Sequence, residues 1–250
     1  MPDTQFFNSS KSDKLPTKLL KITEQFCKTG LATDDEKWKN LVFHFLSKFY
    51  NQHIDKKIIF LNKSEKDITK YIRDWLRKDR RFCGSFIVNC ESLTKDTDQE
   101  GYNDIIFEST LWNTGRSYFI FECKIIDETK AKITEYVYRQ PTPSKKADGG
   151  LYRFLTSKYA SGKDFGGMIG FVLQGRAAEV INKLKKRISE LSITEHNITF
   201  GELTDKKFLE KKIEENKNSF LSKHTRINKD TNKIVSPILI YNILFDFTLF

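Results

Sequence analysis

Apolar residues recur at three- and four-residue steps through the first part of the chain. After a polar stretch at 1–14, the segment LPTKLLKITEQF aligns Leu19, Leu20, Ile22 and Phe26, predicting a helix that Gly30 ends. The segment DDEKWKNLVFHFLSKFY repeats the pattern with Trp38, Leu41, Val42, Phe45, Leu46 and Phe49, and with Asp34 or Asp35 as its cap. His44 and His53 ride on or beside this second helix without metal-binding companions. KKIIFL reads as a short extended stretch. In SEKDITKYIRDWLRKDRRF the helical period returns: Ser64 caps, Ile68, Ile72 and Trp75 form the buried stripe, and Lys66, Asp67 and Thr69 point outward.

The period then shortens to two. Phe86, Val88 and Cys90 alternate with Ser85, Ile87 and Asn89, YNDIIFES predicts a second strand, and RSYFIFECKII after the WNTG turn predicts a third. Pro141 and Pro143 forbid a long helix in the polar region that follows. A helix is expected from about Gly150 to Ala160, burying Leu151, Phe154, Leu155 and Tyr159. GGMIGFVLQG predicts a strand covered on both faces. AAEVINKLKKRISEL predicts a helix burying Val180, Leu184, Ile188 and Leu191, with a basic outer face. Residues 204–219 read as a charged, solvent-facing helix, and SPILIYNILFDFTLF as a terminal strand or pair of strands. The order implies an α/β fold with a mixed central sheet flanked by helices, divided into a helical N-terminal extension (1–59) and a main domain (60–250).

Composition narrows the class without naming it. Hydrophobic residues make up 38% of the 250, with 12 Gly and 5 Pro, which excludes collagen-like and wholly disordered chains. Cys27, Cys83, Cys90 and Cys123 contain no CxxC and read as buried, reduced thiols, which points to the cytoplasm. No run approaches the roughly 18 apolar residues of a membrane span, so no membrane partner is expected. The 43 Lys and Arg against 33 Asp and Glu give a net charge of +10, which favours a polyanionic partner.

The chemistry concentrates in the second and third strands. Residues two apart on a strand share a face, so Tyr118, Ile120, Glu122 and Lys124 project one way, and Phe119, Phe121, Cys123 and Ile125 the other. The antiparallel neighbour brings Asp104 opposite Glu122 and Lys124. Two carboxylates with the Cys123 backbone carbonyl make an oxygen-rich site suited to Mg²⁺ or Mn²⁺, beside a lysine able to orient water and stabilise charge on a phosphate. The plainer reading keeps equal weight at this point: Glu122 and Lys124 as a strand-end ion pair and Asp104 as a turn residue.

Asp104, Glu122 and Lys124 in this strand order resemble the pattern of the PD-(D/E)xK nuclease superfamily, whose restriction-endonuclease-like core runs αβββαβ. Asn103 stands where the family's name has proline. The resemblance covers about residues 60–250, with the helix at 64–79 as the family's first helix. It implies Glu65, from that helix, as a further metal ligand, although at a helix start it also suits the dipole. GGLYRFLTSKYA, GGMIGFVLQG and SKHTR resemble uncharacterised prokaryotic members associated with restriction or antiphage defence.

The implied activity is a Mg²⁺-dependent endonuclease hydrolysing DNA, acting as a homodimer or with a defence-system partner protein. A ribonuclease or nuclease toxin of the same fold, and a non-catalytic nucleic-acid-binding protein, are the alternatives; converging carboxylates count against a pure binder because they repel phosphates. Expected nucleic-acid contacts are Arg153 and Lys158 after the third strand, Lys183, Lys186 and Arg187 on the basic helix, and His224 and Arg226 before the last strand.

Overall fold

The computed structural model describes residues 35–84, 86–89, 104–109, 117–209, 213 and 216–248. The helix expected at 15–29, the WNTG turn, Cys27 and Cys90 lie outside them. Chain order is α1 (Asp35–His53), a 3₁₀ helix (Ile54–Phe60), α2 (Glu65–Lys78), α3 (Arg80–Cys83), β1 (Ile87–Asn89), β2 (Ile105–Ser109), β3 (Ser117–Ile126), α4 (Lys130–Tyr136), α5 (Gly150–Leu155), β4 (Phe165–Val172), α6 (Ala177–Ser189), β5 (Ile193–Glu195), β6 (Ile198–Phe200), β7 (Ser219–Asn228) and β8 (Lys233–Asp246).

The order of the six-stranded sheet is β1-β2-β3-β4-β8-β7. The first three strands form an antiparallel meander, β3–β4 and β4–β8 are parallel, and β7–β8 is antiparallel. Alternation along the strands divides the core into two layers. Phe107, Phe119, Phe121, Cys123, Ile169 and Phe171 join α1, the 3₁₀ helix and α2 on one face. Ile106, Ile120, Ile126, Met168 and Val172 join α4, α5 and α6 on the other. A sheet covered on both faces needs strands apolar on both, and all of β4 is buried as expected.

α1 supplies Val42, Phe43, Phe45, Leu46 and Phe49 to the core beneath the sheet. The boundary expected at 59/60 therefore falls inside a core, and the compact unit containing the sheet begins at Glu36. KKIIFL is helical rather than extended. A short apolar run carries no decisive period, and continuing α1 brings Phe60 against Phe247, 4.3 Å between ring centroids, while Ile58 stays 70% exposed.

In α2, Ser64 and Asp67 form a capping box, as the S-x-x-D spacing permits. Thr69, expected to point outward, is buried and its hydroxyl donates to the Glu65 carbonyl. Leu76 is fully buried, whereas Trp75 only borders the core. Cys83 is exposed and free and Cys123 is buried and free, so the expectation of buried thiols holds for only one of these two.

α5 stops at Leu155 because Ser157 and Ala160 take positive φ (55° and 54°), a conformation no helix continues. Within 204–219 the described residues form turns and isolated bridges, with Leu203 pairing to His224 and Leu209 to Leu221. The apolar Phe208 and Leu209 border the two core layers, which a solvent-facing helix does not allow. β7 occupies the segment read only as preceding the last strand. Among the described residues no helix is long and apolar enough to cross a membrane.

Candidate active site

Antiparallel register sets the site. Ile105 pairs with Phe121, so Asp104, one residue earlier, stands opposite Glu122 at the end of β2. The Cys123 N–H donates to Asp104 Oδ2 at 2.7 Å, and Arg73 Nη1 of α2 donates to the Asp104 carbonyl at 2.6 Å. Arg77 Nη2 holds the Val88 carbonyl at 3.0 Å. Two arginines of α2 thereby tie it to the β1–β2 end of the sheet.

Glu122 has no solvent exposure. Its Oε1 receives both Lys124 Nζ, at 2.8 Å, and Arg153 Nη1, at 2.7 Å. Its Oε2 is buried and has no hydrogen-bond partner among the described residues. A bare buried carboxylate oxygen costs about 1–3 kcal/mol or more, so its persistence calls for a ligand.

Lys124 also donates to Glu65 Oε1 at 2.8 Å and to the Cys123 carbonyl at 3.0 Å. Burial opposes its charge, but Glu122 and then Glu65 outweigh that penalty and raise its pKa, so the ammonium is held charged. Glu65 Oε2 accepts from the Ile125 N–H at 3.1 Å. Both oxygens of Glu65, the further ligand the resemblance implies, accept a hydrogen bond, one from Lys124 and one from the β3 backbone. Desolvation, and next the Glu122 charge, push the Asp104 carboxyl up to about 7.

Arg153 is equally committed. Nε donates to Asp148 Oδ1 at 3.2 Å and Nη1 to the Tyr159 hydroxyl at 3.1 Å, besides the bond to Glu122. These bonds occupy Nε and Nη1 of the residue expected to contact phosphate. Lys158 is half-buried, and burial and the neighbouring Arg153 lower its pKa.

Lys183 and Lys186 are exposed on α6, where Lys183 Nζ reaches the Glu128 carbonyl at 2.9 Å; Arg187 is half-buried, with Nη2 3.5 Å from the Tyr138 carbonyl. His224 and Arg226, expected to contact nucleic acid, are 0% and 2% exposed. β7 is the edge strand of the sheet, but the 201–209 segment bridges to it at His224 and Leu221, and the polar pair is buried. Arg226 donates to the Ser236, Ala160 and Lys163 carbonyls. His224 Nδ1 lies 2.8 Å from the Gly201 carbonyl, and burial lowers its pKa to about 4, which keeps the ring neutral.

The donor chemistry suits a hard cation: the Asp104 carboxylate, the bare Glu122 Oε2 and the Cys123 carbonyl are all oxygens. Among the described residues no three His, Cys, Asp or Glu side chains gather as a ready metal cluster, so the set depends on its main-chain carbonyl. Sequence reading missed Asp148 and Arg73, and it took Tyr159 for packing alone. The available signal was DGGLYRF, in which Asp148 directly precedes the double glycine. Compared with protein-family models, with curated proteins and with solved structures, the chain matches none.

Proposed function

We propose that the protein is a Mg²⁺- or Mn²⁺-dependent nuclease that hydrolyses DNA phosphodiesters, built on a restriction-endonuclease-like core. The observation that carries this reading is the buried, partnerless Glu122 Oε2 on a strand position directly opposite Asp104. The meander β1-β2-β3 followed by parallel β4, with α2 before it and α4 and α5 at the crossover, supports the αβββαβ assignment.

Asp104, Glu122 and the Cys123 carbonyl would hold the metal, which when bound supplies Lewis acidity toward a phosphate and a lowered pKa of water. Lys124 is the group that faces the reacting phosphate. Glu65 and Glu122 keep it charged and aimed, so its ammonium is available to orient water and to stabilise negative charge gathering on the phosphoryl oxygens. Glu65 does this from α2 while also binding the Ile125 N–H, so the lysine is fixed to the strand that carries both acids. The exposed Lys183 and Lys186 and the net charge of +10 support a polyanionic substrate, and the same basic character would serve restriction or antiphage defence.

Incubating the purified chain with supercoiled, linear and single-stranded DNA and with RNA, in Mg²⁺, Mn²⁺ or EDTA, tests the proposal. Nicking or linearisation of DNA that requires metal and disappears in Glu122→Gln supports it. RNA cleavage alone moves the substrate class, and metal-independent binding without cleavage of any substrate replaces the nuclease with a binding protein.

A further inference from the structure

The double glycine brings the start of α5 against Glu122. A Cβ on Gly150 would lie 2.5 Å from Met168 Cε and 3.3 Å from Glu122 Cγ, and Gly149 sits at φ +145° with the Val137 carbonyl 2.6 Å from where its Cβ would be. A side chain at Gly149 would displace the preceding chain, and one at Gly150 would move the tip of Met168 and crowd the Tyr136 carbonyl. Arg153 follows Gly150 by three residues, close to one helical turn, and so falls on the same carboxylate.

The manner of contact is informative. An arginine facing a carboxylate gains most by a bidentate fork, one N–H to each oxygen. Here Arg153 uses Nη1 on Oε1 alone, and Lys124 converges on that same oxygen, while Oε2 stays bare and buried. Asp148 on Nε and the Tyr159 hydroxyl on Nη1 hold the guanidinium in this one-sided pose, and the Tyr159 ring lies 5.7 Å from the guanidinium carbon. Tyr159 is fully buried, so this side of the brace belongs to the packed interior, while Asp148 is half-buried at the surface.

We infer that Arg153 is a positioning residue: braced by Asp148 and Tyr159, it fixes Glu122 through Oε1 and thereby reserves Oε2 for a divalent cation. The inference rests on reading Asp104 and Glu122 as cation ligands. It assigns to the Asp148-Gly149-Gly150-Arg153 segment a task in metal binding that it performs without touching the metal. A carboxylate lacking this brace can turn, and that removes a ligand.

The test is titration of Mn²⁺, followed by calorimetry, into the full-length chain as wild type, Arg153→Met and Arg153→Lys, with circular dichroism to verify folding. Anisotropy of a labelled DNA duplex in EDTA is measured on the same proteins. Loss of a partner behind a metal ligand weakens metal binding by about 10–100-fold, so Arg153→Met should lose at least about tenfold in Mn²⁺ affinity. Arg153→Lys should fall between, because an ammonium restores charge at Oε1 but cannot reach Asp148 and Tyr159 as well. Duplex affinity in EDTA should stay within about twofold, which separates positioning from a phosphate contact.

A merely structural role would lower stability and leave the Mn²⁺ affinity of the folded protein unchanged. Wild-type or tighter Mn²⁺ binding by folded Arg153→Met overturns the inference, since removal of a nearby cation with no positioning role should tighten the site. So does a fall in duplex affinity with unchanged Mn²⁺ binding. If Arg153→Met does not fold, wild-type Mn²⁺ affinity in Arg153→Lys is the overturning result. Absence of Mn²⁺ binding in the wild type itself is a different failure, which removes the metal site and with it the role given to Arg153.

Discussion

Two buried polar clusters in this protein are built on opposite terms. In β7, Arg226 donates to the carbonyls of Ser236, Ala160 and Lys163, so its bonds run to main-chain atoms already held by the fold. In the middle of β3, Glu122 is bound by two side chains, Arg153 and Lys124, both on one of its oxygens. The first cluster joins the β7–β8 hairpin to the chain that leads into β4. The second retains an unused acceptor in a dry place, which a protein selected for stability alone would have filled. His224 Nε2 is also without a hydrogen-bond partner among the described residues, but its ring is neutral, and a neutral nitrogen is far cheaper to leave bare than half of a carboxylate.

The contrast is broken most directly by removing charge from each cluster in turn. Glu122→Gln and Lys124→Ala should each reduce metal-dependent cleavage by at least about 10³-fold, roughly 4 kcal/mol in barrier height. Lys124→Ala should leave Mn²⁺ affinity at or above the wild-type value, since Arg153 still holds Glu122 through Oε1 and a nearby positive charge is gone, while Glu122→Gln should lose it. Equal cleavage by both folded variants and wild type would return Glu122 and Lys124 to a strand-end ion pair.

Arg226→Met should show the reverse profile. It strands the buried Ala160 carbonyl and the part-buried Ser236 and Lys163 carbonyls, and a loss of about 2 kcal/mol in urea unfolding is expected from unpaired acceptors, with Mn²⁺ affinity of the folded protein unchanged. Unaltered stability would mean that the carbonyls find other donors, and the cluster would not be the clamp described.

A smaller effect sharpens the comparison through pH. The folded pKa of His224, about 4, lies below its ordinary value of 6.5, so between these values the unfolded chain binds more protons than the folded one. Stability contributed by the neutral ring is therefore complete above pH 6.5 and declines as pH falls toward 4. The native protein should be about 2 kcal/mol less stable at pH 5 than at pH 7 from this residue, and His224→Gln should remove that increment. Urea unfolding at the two pH values checks it, and an identical pH dependence in the variant would place the titration elsewhere.

Local spacing alone determined much of what matters here. The period of two in SYFIFECKII puts Glu122 and Lys124 on one face and Phe119, Phe121 and Cys123 on the other, because a strand alternates whatever surrounds it. The stripes of α1 and α6 and the Ser64 cap are likewise legible from spacing within a few residues. What only the tertiary structure decided are the bonds between residues distant in the chain: Arg153 on Glu122, 31 residues apart, and Lys124 on Glu65, 59 apart. The burial of His224 and Arg226 belongs with these, since KHTR carries the polar residues of a surface loop and these two are buried only because β7 pairs with β8 on one side and distant chain, at Gly201 and Ala160, meets their side chains. Spacing fixes which side of an element a residue occupies, whereas the partner it meets there depends on how separate elements pack, and short-range periodicity carries no record of that.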